Sequence, residues 1–387
     1  MTVPAHGGHL VNRELSEADR KRREAELAHL PKLRPSIDDL YDVQQIAIGG
    51  YSPLEGFMDR ATFEGVLTKT RLPNGLPWSM PILLTPPGEE NAKVIAGLQP
   101  GDDAAILDDQ DRLIAVLHLS EKFAPDRTAW AQSTYATTEP AHPNVADVLA
   151  SGDVALAGSI DLVRRLELPT GSDEMTPTET RALFVEKGWR RVAAYQCRNP
   201  PHTAHEYLQR LTLERQDVDA LLIHPVVGRL KKGDYRPDII LAAYRALVQN
   251  YNVPSRVHLA AFSITMRYAG PRAALFLAIV RKNYGCSSYI VGRDQAGVGK
   301  YYDPYACHRI FEEFPVGIDA LCYDEAWLCR KCGVMATMKT CPHPASDRVD
   351  TSQTRIRKAL SDGQPLPAEI LRPEVAEILR RPNVVQN

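Results

Sequence analysis

RVAAYQCRNPPHTAHEYLQRL, residues 191–211, passes from a short apolar run through a polar loop into a stretch with helical spacing. The run 192–195 has the length and composition of a buried strand. Asn199 suits the N-cap and Pro200 the first helical position, which predicts a helix over about 200–215. A strand end that turns directly into a helix start is where α/β proteins present backbone N–H groups to anions.

The same rhythm continues downstream. Apolar runs at 218–224, 256–262 and 287–291 alternate with helical patterns over 238–251 and 271–283. Alternation of this kind predicts βα units and a mainly parallel sheet, with ligands at the carboxyl ends of its strands. Three loops fall there: QCRNPPH (196–202), HPVVGRLKKGD (224–234) and GRDQAGVG (292–299).

In the first loop, Arg198 offers a planar donor fork matched to sulfate or phosphate oxygens. His202 and His205 are three apart, so both imidazoles share one face of the first helical turn. The second loop brings His224, Arg229, Lys231 and Lys232 to a strand end, and it reads equally well as a solvated basic turn. The third lets backbone approach a nucleotide closely, but it does not have P-loop spacing: Asp294 stands where a glycine is required, and Tyr301 follows Lys300.

Upstream, about 160 residues carry short runs (78–84, 103–107, 113–119) between Pro, Gly and Asp clusters, predicting a β-rich unit preceded by a polar helix over 14–30. LPTGSDEMTPTE, residues 168–179, reads as a linker. From about 319 a small third region holds Cys329-x2-Cys332-x8-Cys341-x-His343, the donor set of a closed tetrahedral zinc site, structural rather than catalytic. Helical patterns follow at 354–360 and 373–380. The expected units are 1–167, 168–318 and 319–387.

A chain of 387 residues, 44% hydrophobic and 24% charged, has room for two or three packed domains, and a formal net charge of −2 gives no general field for nucleic acid. Neither a signal sequence nor a membrane-length apolar run is visible, so a cytoplasmic protein is expected. Seven cysteines in such a chain point to metal ligation or free thiols rather than a disulfide framework.

Taken in order, HGGHLVNREL (6–15), QCRNPPHTAHE (196–206), HPVVGRLKKGD, MRYAGPRAALFLAIVRKNYG (266–285), IVGRDQAGVG, YYDPYAC (301–307) and the Cys/His cluster resemble ATP sulfurylase over nearly the whole chain. The resemblance is to the prokaryotic type without a fused adenylylsulfate kinase domain. It implies an α/β protein with a PUA-like N-terminal domain, a central Rossmann-like nucleotidyltransferase domain of the HxxH kind, and a small zinc-bearing C-terminal domain. It also implies ATP and sulfate as substrates, adenosine 5'-phosphosulfate and pyrophosphate as products, Mg2+ with the ATP, structural Zn2+, and a homodimer.

By the same resemblance, Gln196 and Arg198 hold sulfate with Ala296, while Arg198 and Asn199 contact phosphates. His202 and His205 steady the leaving pyrophosphate, Gly292, Arg293, Asp294 and Gln295 line the nucleotide site, and Ala326 adds a further contact. Cys197 belongs to the catalytic loop but stands where the family carries a hydroxyl residue, so no thiolate chemistry is implied. Thr203, Gln295 and Val298 also depart from the usual Arg, His and Pro. The rival readings are another HxxH nucleotidyltransferase with a different acceptor, and an RNA-binding PUA-like protein.

Overall fold

The computed structural model describes residues 2–230 and 232–386, with the side chain of Thr354 outside the described set. Lys231 of the second loop therefore lies outside the described residues.

The N-terminal unit is built on a five-stranded sheet in the order Lys32–Leu33, Asp103–Leu107, Leu113–Phe123, Ala155–Leu162, Gly56–Phe57. Asp103–Leu107 and the first half of Leu113–Phe123 are buried on both faces, with Leu15, Leu27 and Leu30 packed on the side that carries Leu107, Leu113 and Val116. The polar helix Glu17–Glu26 buries none of its own residues; it is capped by Ser16, and the chain just beyond it supplies Leu27 and Leu30.

Residues 78–84 do not form the strand the sequence suggests. Pro77 and Pro81 remove ladder donors, and the segment makes a single bridge, Leu84 to Leu156. It serves instead as a buried seam to the next unit, where Arg272 Nε donates to the Ser79 carbonyl at 2.9 Å and Ser79 Oγ donates to the Arg272 carbonyl at 2.6 Å.

The linker-like stretch is partly structured. Gly171–Asp173 forms a 3-10 turn, and Thr176 with Glu179 forms a capping box that starts the helix Pro177–Glu186. The central sheet follows, all parallel, in the order Asp319–Cys322, Ser288–Val291, Val192–Tyr195, Ala220–Ile223, Val257–Leu259. Asp319–Cys322 pairs along its length with Ser288–Val291, so a border at 318 would cut an edge strand from its sheet; the strand is placed with the central unit.

The helix Pro271–Asn283 is buried nearly all round, as its run of Ala, Leu, Ile and Phe demands. Successive strands run outward from Val192–Tyr195 to Val257–Leu259, and the chain then returns to the opposite side at Ser288–Val291. That reversal opens a crevice between the carboxyl ends of Val192–Tyr195 and Ser288–Val291, the switch point where open α/β sheets take ligands.

The C-terminal region adds a three-stranded antiparallel sheet, Met335–Ala336, Trp327–Cys329, Arg348–Val349, and the helices Gln353–Ser361 and Pro373–Leu379. The last of these buries Val375, Ala376, Ile378 and Leu379. No helix among the described residues is long and apolar enough to cross a membrane.

Candidate active site

The strand Val192–Tyr195 ends at Gln196, and the loop that follows forms one wall of a 610 Å³ cleft at the switch point. Gln196, Cys197, Arg198, Asn199, His202 and His205 line it, as do Gly292, Arg293, Asp294, Gln295 and Ala296 from the next strand end and Ala326 from the C-terminal side. All twelve residues singled out for the nucleotide and sulfate site thus face a single cavity.

The helix begins later than the sequence suggests. It spans Thr203–Leu213 with His202 as N-cap, not Asn199. The reason lies in Pro200-Pro201, since a residue before proline is pushed out of the helical region. His202 Nδ1 accepts from the Ala204 N–H at 3.3 Å, and the Thr203 N–H donates to the Ile370 carbonyl at 3.1 Å. The helix-start amides expected to face outward are therefore partly spent within the protein.

An accepting Nδ1 fixes the tautomer of His202: it is neutral and carries its proton on Nε2. Burial pushes the His202 pKa well below the ordinary value, with His205 adding repulsion, and burial pushes that of His205 down to about 4. The rings stack with centroids 3.8 Å apart, and His205 Nδ1 has no partner among the described residues. The pair is thus two neutral, stacked imidazoles, with the His202 Nε2–H free to donate.

A buried neutral histidine takes up a proton more readily when the chain unfolds, so its stabilising contribution is complete above the unfolded pKa near 6.5 and is lost as pH falls toward the folded value. Stability should accordingly drop between pH 6.5 and about 4. Denaturant midpoints across that range should fall less steeply for a His202→Asn, His205→Asn double variant than for the parent.

Arg198 lies with its guanidinium 4.8 Å from the Tyr268 ring centroid and its Nε 4.0 Å from Asp234, which is buried. That Nε is buried without a hydrogen-bond partner. The amide oxygen of buried Gln196 lies 3.5 Å from the Tyr289 hydroxyl, which also accepts from Gln295 Nε2 at 3.1 Å. Asp294 and Ala296 both hold positive φ, 55° and 56°, so the loop bends tightly without glycine at those positions. At Gly297 a Cβ would come within 2.1 Å of Asp294 Oδ1, so a larger residue there would turn the Asp294 side chain away.

The Cys197 sulfur sits 2.6 Å from the Tyr244 hydroxyl, and burial pushes its pKa up to about 12. It is a neutral thiol, not a nucleophile. His224, which the second loop offered as a candidate, is fully buried among Phe262 and Tyr284, with Nε2 3.2 Å from the Ala261 carbonyl. Arg229 of the same loop binds Asp38 and Asp147 of the N-terminal unit at 2.8 and 2.7 Å, so it joins the two units.

The sequence reading missed the outer wall. Trp327, Arg348 and residues 350–353 line the cleft from the C-terminal region, and Gln353 Nε2 reaches the Pro200 carbonyl at 2.8 Å. Arg372 clamps Glu206 through two bonds of 2.8 and 2.7 Å, holding the last helices against the one that begins at Thr203. Only the Ser352 cap ahead of the helix Gln353–Ser361 is legible locally.

Cys329, Cys332, Cys341 and His343 converge so that their ligand atoms lie within 4.8 Å of one another. Sulfur atoms of Cys332 and Cys341 are 3.7 Å apart, and His343 Nδ1 lies 3.3 to 3.6 Å from the three sulfurs. The cluster could hold a metal ion.

A doubly wound parallel sheet, with an arginine, a histidine pair and a tight glycine-containing loop at its switch point, defines a nucleotide-binding α/β protein. The ATP-sulfurylase family profile matches residues 172–382, and that of the PUA-like domain matches residues 3–165. The sulfate adenylyltransferase of Hyperthermus butylicus is 44% identical over 386 residues, 99% of this chain and 97% of that one. That of Symbiobacterium thermophilum is 42% identical over 380 residues, 97% and 95% of the two chains. A solved structure described as a hexameric APS kinase from Thiobacillus denitrificans superposes with a TM-score of 0.78 at 26% identity, over 98% of this chain and 69% of that chain. The chain belongs to the ATP-sulfurylase family.

Proposed function

We propose that this cleft joins sulfate to the α-phosphate of ATP, giving adenosine 5'-phosphosulfate and pyrophosphate, and runs the same reaction in reverse. The observation that carries this reading is the convergence of Gln196, Arg198, His202, His205 and the Gly292 to Ala296 loop on one cavity, in a chain of this family. The Arg198 guanidinium, whose Nε makes no hydrogen bond within the protein, and the neutral imidazole pair suit two anions that repel each other unless donors compensate.

The chemistry is direct displacement. A sulfate oxygen attacks the α-phosphorus in line, a P–O bond forms, and the bond to pyrophosphate breaks with its electron pair leaving on the pyrophosphate oxygen. Arg198 and the Gln196 amide position sulfate; with Gln196 Oε1 facing Tyr289, its NH2 is the group left for an anion. His202 and His205 donate N–H groups to the phosphates as charge builds on the leaving side, and Asn199 and the Gly292 to Ala296 loop hold the nucleotide. Catalysis then rests on positioning and electrostatics, with no covalent enzyme intermediate.

The cleft carries Arg198, Arg293 and Arg348 against Asp294, Asp324, Glu325 and Asp350, so it has no surplus of positive side chains. ATP accordingly enters as its magnesium complex, the cation offsetting phosphate charge.

The Cys/His cluster suits structural zinc. Arms of about 2.3 Å to sulfur and 2.0 Å to nitrogen give tetrahedral edges of about 3.8 Å between sulfurs and about 3.5 Å from sulfur to nitrogen. The spacings of 3.7 Å and 3.3 to 3.6 Å are close to these. Held by Cys329, Cys332, Cys341 and His343, a metal would have no position left for substrate and would act as a staple. The family resemblance also supports a cytoplasmic homodimer, which sedimentation of the purified chain would read.

Purified protein given adenylylsulfate and pyrophosphate should form ATP, and given ATP should release pyrophosphate only when sulfate is added. Release with some other acceptor and not with sulfate would make it a different nucleotidyltransferase.

A further inference from the structure

The outer wall of the cleft is built by the strands that carry the metal cluster, and one of its side chains keeps unspent donors. Trp327–Cys329 lies between Met335–Ala336 and Arg348–Val349, with Cys329 directly opposite Arg348. Cys329 is also a member of the Cys/His cluster, so whatever fixes that cysteine fixes the Arg348 backbone across the ladder. The Arg348 guanidinium lies 3.9 Å from the Trp327 ring centroid, and both residues line the cleft.

Arg348 Nη2 donates to Met338 Sδ at 3.0 Å, a weak acceptor, while its buried Nε and the buried Trp327 Nε1 have no hydrogen-bond partner among the described residues. Among the described residues Arg348 forms no ion pair. Carboxylates of the same region are engaged elsewhere: Asp347 by Lys331 at 3.1 Å, Asp324 by Lys339 at 3.4 Å, Glu325 by Arg293 at 3.4 Å, and Asp350 Oδ1 by the Ser352 N–H at 2.7 Å. A planar cation stacked on an indole, with unspent donors in the wall of a cleft that must receive a polyanion, has the chemistry of a ligand contact. The wall also touches the catalytic helix, since Thr203 Oγ1 lies 3.7 Å from Met335 Sδ.

We propose that Arg348 binds the nucleotide, and that the metal-pinned three-stranded sheet holds it in place, so that nucleotide affinity depends on metal occupancy. This rests on the reading that the cleft takes ATP.

The test is calorimetric binding of magnesium α,β-methylene-ATP to the full chain, comparing the metal-loaded parent, R348A, R348K and the parent stripped with chelator. R348A should lose about tenfold or more in affinity, as expected for a charge-assisted contact, with metal content and melting temperature near parental, and R348K should recover part of the loss. Stripped protein should lose affinity to a similar extent and regain it when zinc is restored. Affinity within twofold of the parent in R348A, or unchanged in stripped protein, overturns the proposal. Should R348A fail to fold, R348K and R348Q give the same reading. Sulfate-dependent exchange is followed in parallel: normal exchange by the parent beside undiminished binding in R348A removes the role of Arg348 alone, whereas a parent that neither binds the analogue nor exchanges removes the reading of the cleft as well.

Discussion

Arg198→Ala is expected to cut sulfate-dependent ATP–pyrophosphate exchange by a hundredfold or more in a protein that still folds. Loss of one preorganised donor to developing oxyanion charge typically costs on the order of 3 kcal/mol, and Arg198 is the cleft arginine on the strand-to-helix loop itself. Its structural attachments are loose, a 4.0 Å approach to Asp234 and a ring contact with Tyr268, so removing it should disturb packing little. His202→Ala should cause a comparable loss but also removes the helix N-cap. His202→Asn separates the two effects, because asparagine can accept the Ala204 N–H without supplying an imidazole. A variant at either position that keeps near-parental turnover, measured with label in pyrophosphate, would show the assigned roles to be wrong.

Cys329→Ser should abolish stoichiometric metal binding and lower the melting temperature by roughly 5–10 °C, the size of shift that a few kcal/mol produces in chains of this order. Cys329 is buried beside Trp327 and Ala336 in a cluster with little other apolar content, so its three-stranded sheet has few contacts to fall back on. Structural metal sites contribute folding energy directly because the preformed site does not exist in the unfolded chain. Metal analysis of the purified variant beside the parent reads the first effect and a thermal melt the second. Unchanged metal stoichiometry would refute the ligand assignment.

What could be read from the sequence follows the range of the interactions involved. Val192–Tyr195 and Pro271–Asn283 were plain because local signals define them: four apolar residues before a polar loop, and a proline opening an apolar helix. Asn199 reads as a cap because capping preference is local too, but the steric restriction imposed by Pro200-Pro201 moves the cap to His202. Residues 78–84 looked like a strand by composition but became a seam, because Arg272, nearly two hundred residues away, takes the Ser79 carbonyl.

The inner wall of the cleft was legible because strand ends in parallel sheets gather their loops at one edge. Its outer wall was not. Trp327, Arg348 and Gln353 reach the site only through contacts between distant segments, such as Gln353 with Pro200 and Thr203 with Ile370, which no periodicity records. His224 shows the converse, since a histidine in a polar-looking loop proved to be a core residue packed on Phe262 and Tyr284.

The most direct measurement is a crystal structure of the protein with adenosine 5'-phosphosulfate bound. The sulfate group should lie within hydrogen-bond distance of Arg198 and the Gln196 amide, with the α-phosphate facing the His202 and His205 pair. Product held elsewhere, or bound in this cleft with its sulfate out of reach of Arg198, would contradict the account.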